Sequence, residues 1–149
     1  MNHKGITLIE LIVVFVIIAV GTVFLVPNIG GWLPTYRLRS AGRDVVSTMR
    51  TAQMRAVANN IQYRVNLNAV DVGANSYLLQ RNIGGVWVDD GAIRGLPAGI
   101  TFLGNTFNNQ RAEFNPNSTS TAGSLTLQNA KGAQKRITLT PATGRVRIE

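Results

Sequence analysis

Residues 5–11 read GITLIEL, and this stretch decides how the rest of the chain is interpreted. It opens a run from residue 6 to residue 26 in which sixteen of the twenty-one residues are Ile, Leu, Val or Phe, and yet Glu10 lies inside it. A helix of that length spans about 31 Å, close to the hydrocarbon thickness of a bilayer. The apolar side chains favour insertion by roughly 5–10 kcal/mol, whereas one carboxylate costs about 3 kcal/mol. The run therefore predicts a transmembrane helix over residues 6–26.

A cleaved secretory signal peptide is the alternative interpretation of the same run. Residues 19–21, Ala-Val-Gly, resemble a cleavage site after small residues, which would leave Thr22 as the mature N-terminus. A charged residue five positions into the apolar core is atypical of such signals. Lys4, ahead of the run, predicts that the N-terminus faces the cytoplasm and that the rest of the chain is exported. These features favour a retained membrane anchor.

The composition limits the chemistry of the rest of the chain. There are no cysteines and the only histidine is His3, which excludes disulfides, thiol or histidine catalysis and cysteine or histidine metal sites in the body of the protein. We therefore predict no enzymatic activity, no metal, no cofactor and no small-molecule substrate. The net charge is +8, from 15 Lys and Arg against 7 Asp and Glu, and it favours anionic partners such as nucleic acid or a lipid surface.

Helix-breaking residues follow the apolar run. Pro27, Gly30, Gly31 and Pro34 fall close together, so residues 27–34 are expected to be kinked or partly unwound, because proline removes a helical hydrogen bond and clashes with the preceding turn. A plain linker between anchor and head is compatible with this expectation.

Apolar residues return after the break at spacings of three and four, which predicts an amphipathic helix over residues 35–60. Its arginines lie mostly away from the apolar face and are expected to be solvated. The predicted buried face comprises Leu38, Ala41, Val45, Met49, Ala52 and Ala56.

The apolar period changes to two at Ile61, which is typical of a half-buried strand. The helix followed by strands with short connections predicts an α+β fold, in which a long N-terminal helix, transmembrane in its first half and amphipathic in its second, packs on an antiparallel β-sheet. The predicted head is residues 35–149, with its sheet domain over residues 61–149. Further strands are predicted at residues 76–81, 85–88, 100–103, 124–130, 134–140 and 145–149, and a polar loop at residues 104–123.

The spacing of Lys4, Gly5, Ile6 and Glu10 resembles the class III signal of type IV pilins and pseudopilins. The resemblance implies that residues 1–5 are a prepilin leader, that a prepilin peptidase cleaves between Gly5 and Ile6, and that Ile6 is then N-methylated. Phe is the commonest residue at the new terminus in that family, and Ile6 takes its place here. The resemblance also implies a single-pass protein of the bacterial inner membrane with a periplasmic head.

Glu10 has a physical role in this interpretation. Cleavage frees an amine at Ile6, which is costly in an apolar medium unless a carboxylate meets it. Glu10 of a neighbouring subunit can supply that carboxylate, so we expect Glu10 to set the register of assembly. The alternative is a carboxylate that snorkels to the lipid headgroups.

The C-terminal half resembles the GspH/FimT family of minor pseudopilins and minor pilins, which have the pilin fold. The residues that carry the resemblance are Phe114-x-Pro116, Gly123-x-Leu125-x-Leu127 and the closing Gly144-Arg145-Val146-Arg147.

The last strand places two arginines on one face, since Arg145 and Arg147 alternate with Val146 and Ile148. The arginines are about 7 Å apart, a separation that suits phosphates of a DNA strand. In FimT-like minor pilins a C-terminal G-R-x-R motif is associated with DNA uptake, so the resemblance implies that Arg145 and Arg147 bind DNA. A solvated strand face is the alternative. Three further cations on the preceding hairpin are candidates for the same site: Lys131, Lys135 and Arg136.

The expected function is that of a minor pilin or pseudopilin, incorporated into a type IV pilus or a type II secretion pseudopilus. The expected partners are the prepilin peptidase, other pilin or pseudopilin subunits, the inner membrane and DNA. Two alternatives stay open at this point: a type II secretion tip pseudopilin without DNA binding, and a membrane-tethered binding module that joins no filament.

Overall fold

The computed structural model describes residues 7–25, 29–68 and 71–149. The chain divides into two compact units, Met1–Leu33 and Pro34–Glu149. The described helices are α1, Leu8–Leu25, and α2, Ile29–Asn59, with a short 3-10 helix at Asn108–Gln110. The described strands are β1 Tyr63–Leu67, β2 Ser76–Ile83, β3 Val86–Asp89, β4 Arg94–Gly95, β5 Ile100–Asn105, β6 Arg111–Phe114, β7 Gly123–Asn129, β8 Gln134–Thr140 and β9 Arg145–Ile148.

The strands form two antiparallel sheets. The order in the first sheet is β3-β2-β1-β6, and β4 also pairs with β2. The order in the second sheet is β5-β7-β8-β9, so β9 lies at a sheet edge. The prediction of an α+β fold with a long helix and antiparallel strands is confirmed, although the strands form two sheets instead of one.

Helix α2 buries the face that the sequence predicts. Side chains from both sheets complete its core, among them Val65 of β1 and Ile137 and Leu139 of β8. This core joins the helix to both sheets and fixes the position of the β8–β9 hairpin beside it. Each of the six predicted helix residues is at most 2% exposed: Leu38, Ala41, Val45, Met49, Ala52 and Ala56.

Strand β1 departs from the predicted half-buried pattern, because all five of its residues are buried. Arg64 Nε donates to Gln80 Oε1 at 2.7 Å, and Asn66 Nδ2 donates to the same oxygen at 3.0 Å. The Arg64 guanidinium also stacks on Trp87, 4.2 Å from the ring centroid. Burial lowers the pKa of Arg64 from its ordinary value. These internal hydrogen bonds give partners to two buried donors that alternation alone would place in solvent.

The prediction of a polar loop over residues 104–123 is wrong for the middle of that segment. Arg111–Phe114 forms β6, which pairs with β1, and Ala112 and Phe114 are completely buried. Two apolar residues between polar segments are too short a pattern to indicate a strand.

Part of the predicted anchor can be compared with the structure. Leader residues 1–5, the span ends Ile6 and Val26, and Pro27 lie outside the described residues. Within the described ranges, no helix is both long enough and apolar enough to cross a membrane.

Residues 29–34 are helical instead of unwound, and Pro34 lies inside α2. A proline removes one backbone hydrogen bond, and the flanking turns continue the helix here.

Candidate functional site

The first described turn of α1 includes Glu10. Thr7 precedes the helix, and the Glu10 backbone N–H donates to Thr7 Oγ1 at 3.4 Å and to Thr7 O at 3.1 Å. Thr7 therefore caps the helix, with Glu10 three residues later, which is the spacing of a capping box. The exposed Glu10 lies in the first turn of α1, at the positive end of the helix dipole. Gly5 and Ile6, the predicted processing site, lie outside the described residues.

Helix α1 presents an apolar surface to its surroundings. Its large apolar side chains from Leu8 to Val20 are 47–77% exposed. An exposed apolar patch of this size is typical of contact with a membrane or with other proteins. Glu10 therefore lies in a surface that suits a bilayer or a neighbouring subunit.

Strand β9 has the alternation that the sequence predicts. Arg145 and Arg147 are exposed, whereas Val146 is 6% exposed and belongs to the core. In the register with β8, Arg145 pairs with Thr140 and Arg147 with Thr138. The two arginines therefore lie on the outer face of the second sheet.

The structure separates the other three predicted cations. Arg136 shares the outer face with Arg147, and its backbone exchanges hydrogen bonds with Glu149, which lies opposite it. Lys135 points to the opposite face and lines a small cavity beside α2. Lys131 lies in the β7–β8 turn, at the end of β8 away from Arg145.

A groove of about 1050 Å³ lies between α2 and β9. Arg145 and Arg147 line one side, and Arg43 and Arg50 of α2 line the other. None of the described residues that line it is acidic or aromatic. The two helix arginines are seven residues apart and so share a face of α2. The sequence alone gave no sign that β9 lies beside that face, so both were expected to be solvated.

Comparison with known proteins finds a motif at the N-terminus and a similar fold over most of the chain. Residues 1–26 match the family model described as the prokaryotic N-terminal methylation motif. The chain is similar to the type IV minor pilin FimU of Pseudomonas aeruginosa PAO1, with a TM-score of 0.61 and 15% identity over 77% of this chain and 90% of FimU. It is also similar to the minor pseudopilin EpsH from the Type 2 Secretion System of Vibrio cholerae, with a TM-score of 0.63 and 12% identity over 76% of this chain and 96% of EpsH.

The chain has the pilin fold. The predicted resemblance of its N-terminus to a pilin methylation signal is confirmed by the matching motif. A search of curated protein sequences finds no match.

The residues behind the C-terminal resemblance pack the core of this pilin head. Phe114, Leu125 and Leu127 are completely buried. Gly123 lies against the ring of Phe107, and a Cβ at Gly123 would come within 2.6 Å of the ring atom Cε1. The motif is therefore in large part a packing motif.

Gly144 places the start of β9 against α2. Its φ of +60° is in the left-handed region, which favours glycine. A Cβ there would lie 2.8 Å from Ser118 O and 2.9 Å from Gln53 Cδ. Gln53 Nε2 of α2 also donates to Thr143 O at 2.9 Å. The close approach sets the distance between Arg145 and the helix.

Proposed function

We propose that this protein is a minor pilin or pseudopilin, a structural subunit and not an enzyme. Residues 6–26 anchor it in the bacterial inner membrane as a single span, and the head lies in the periplasm. A prepilin peptidase removes residues 1–5 and methylates Ile6, and the subunit then enters a filament. The observation that carries the proposal is a methylation motif over residues 1–26 joined to a head with the pilin fold. The exposed apolar surface of α1 supports it, since bilayer and filament both cover such a surface.

Mass spectrometry of the mature N-terminus tests this proposal. We expect the protein purified from membranes to lack residues 1–5 and to carry one added methyl group on Ile6. A chain that keeps residues 1–5 would contradict processing and favour a membrane-tethered binding module. A chain that begins at Thr22 would indicate an ordinary signal peptide.

We infer that the filament is a type IV pilus, with the type II secretion pseudopilus as the second candidate. The similarity to FimU supports the first and the similarity to EpsH supports the second. The exposed pair Arg145 and Arg147 favours the pilus, because a basic surface suits DNA held for uptake. In the second candidate the protein is a tip pseudopilin and binds no DNA.

The DNA-binding proposal makes a quantitative prediction for Arg145 and Arg147. The double variant Arg145→Gln/Arg147→Gln should lower the slope of log K against log salt concentration by about 2, because each phosphate contact contributes roughly 0.9. The measurement is fluorescence anisotropy of a labelled 20-base-pair duplex with the full chain in mild detergent, from about 50 to 200 mM KCl.

The matched control is Lys131→Gln/Arg136→Gln, which removes the same charge from the same sheet. We expect a smaller change in slope, because Arg136 pairs with Glu149 and Lys131 lies in the β7–β8 turn, at the end of β8 away from Arg145. If the Arg145/Arg147 variant keeps the wild-type slope, these arginines do not bind DNA.

A further inference from the structure

Two cavities follow the seam between α2 and the β8–β9 hairpin. The larger is the groove of about 1050 Å³ described above, and the smaller is about 190 Å³. They meet at Arg43 and Ile148, which line both. The cations that line the pair of cavities come from both walls: Arg39, Arg43 and Arg50 from α2, and Lys135, Arg145 and Arg147 from the hairpin.

The helix wall has a regular geometry. Arg39, Arg43 and Arg50 are separated by four and seven residues, which places them on one face of α2. From Arg39 to Arg50 the helix rises about 16 Å. A duplex strand carries one phosphate per 3.4 Å of axis, so this wall can run beside several successive phosphates.

The remaining arginines of α2 are engaged away from this seam. Arg55 forms an ion pair with Asp90 beside the first sheet. Arg37 Nη1 donates to Ala98 O at 3.2 Å. The acidic residue next to Arg43 in sequence, Asp44, faces the first sheet, where it helps burial to raise the pKa of Tyr77. No acidic side chain is among the described residues that line either cavity, so the positive charge of the seam is not neutralised from within.

We propose that this seam is a two-walled site for the phosphodiester backbone of DNA, lined by Arg43 and Arg50 of α2 on one side and by Arg145 and Arg147 of β9 on the other. The inference rests on the DNA binding proposed above. It extends the proposed site from strand β9 to the groove between β9 and α2. The larger groove is lined by no aromatic residue among those described, so bases have no stacking platform there. The site therefore holds DNA through its phosphates and has little sequence preference.

The test compares two double variants of the same helix in the full chain in mild detergent. Arg43→Gln/Arg50→Gln should lower the salt slope of duplex binding by about 2. Arg37→Gln/Arg55→Gln removes the same charge outside the groove and should change the slope by less than about 0.5, because distant exposed charges are screened by salt. Thermal unfolding of each variant checks that the head stays folded.

The outcomes separate this inference from the DNA-binding proposal itself. If the Arg43/Arg50 variant and the Arg37/Arg55 variant have the same salt slope, α2 does not contribute to the site. A lower slope for the Arg145/Arg147 variant would then still support DNA binding by β9 alone. If Arg145→Gln/Arg147→Gln does not change the salt slope, both proposals fail.

A competition experiment tests the identity of the ligand. If poly-glutamate displaces the labelled duplex as well as unlabelled duplex does at equal charge, the groove is a site for an acidic protein and the assignment to DNA is overturned. Two duplexes of unrelated sequence should bind within about threefold of each other, since phosphate contacts carry no sequence information.

Discussion

Replacing Gly144 with alanine is expected to lower the free energy of unfolding of the head by about 2–5 kcal/mol. Two effects add. A side chain at a φ of +60° is strained, which costs about 1–2 kcal/mol. The new Cβ also meets Ser118 O and the Gln53 side chain, and overpacking of this kind costs about 1–3 kcal/mol. Urea unfolding of the full chain in mild detergent, followed by tryptophan fluorescence, measures the change.

Gly132 provides the matched control. It lies in the β7–β8 turn of the same sheet with a φ of +82°, but the nearest atom to a Cβ there, Gln128 Nε2, is 3.8 Å away. Gly132→Ala therefore adds backbone strain without crowding and should cost about 1 kcal/mol. Equal losses at the two glycines would show that Gly144 matters for its backbone alone and does not hold β9 against α2.

A second substitution separates the two neighbours of Gly144. Gln53→Ala removes the flexible neighbour and leaves the Ser118 carbonyl in place. In the Gly144→Ala background it should restore part of the lost stability, whereas alone it should cost about 1 kcal/mol through the lost hydrogen bond to Thr143 O. Residues in contact are expected to show such coupling.

The sequence predicts those elements whose apolar residues repeat regularly. The buried face of α2 is correct at all six positions because the spacing of three and four extends over five turns. The alternation of β9 is correct because Val146 belongs to the core while its two neighbours are exposed. Strand β6 is missed because Ala112 and Phe114 provide only two apolar positions inside a polar segment.

The sequence predicts the arginines on only one side of the candidate groove. Arg145 and Arg147 are recognisable because a strand alternation and a family motif coincide on them. Arg43 and Arg50 join them through the strand order β5-β7-β8-β9, which puts β9 at the edge beside α2. Strand order is a long-range property, and local periodicity carries no information about it. The same limit explains why Lys135 and Arg136, adjacent in sequence, fall on opposite faces and have different neighbours.

Replacing Glu10 with alanine is expected to leave the subunit in the membrane and to prevent its incorporation into filaments. Insertion should not fall, because removing a carboxylate from an apolar segment favours the bilayer. Assembly should fall because the amine of Ile6 on a neighbouring subunit then lacks its partner. Breaking a buried ion pair costs about 3–5 kcal/mol, which corresponds to a loss of roughly 100-fold or more in incorporation. The measurement compares the subunit in sheared filaments with that in the membrane fraction.

Glu10→Gln distinguishes charge pairing from helix capping. Thr7 and Glu10 have the spacing of a capping box, and glutamine serves that motif as glutamate does. If the loss in Glu10→Ala comes from a frayed first turn of α1, the glutamine variant should assemble normally. If it comes from the unpaired amine, the glutamine variant should fail as the alanine variant does, because a neutral amide cannot offset the charge. The Glu10 carboxylate is exposed on a single chain, where the Ile6 amine of a neighbouring subunit can reach it, so we expect the second result.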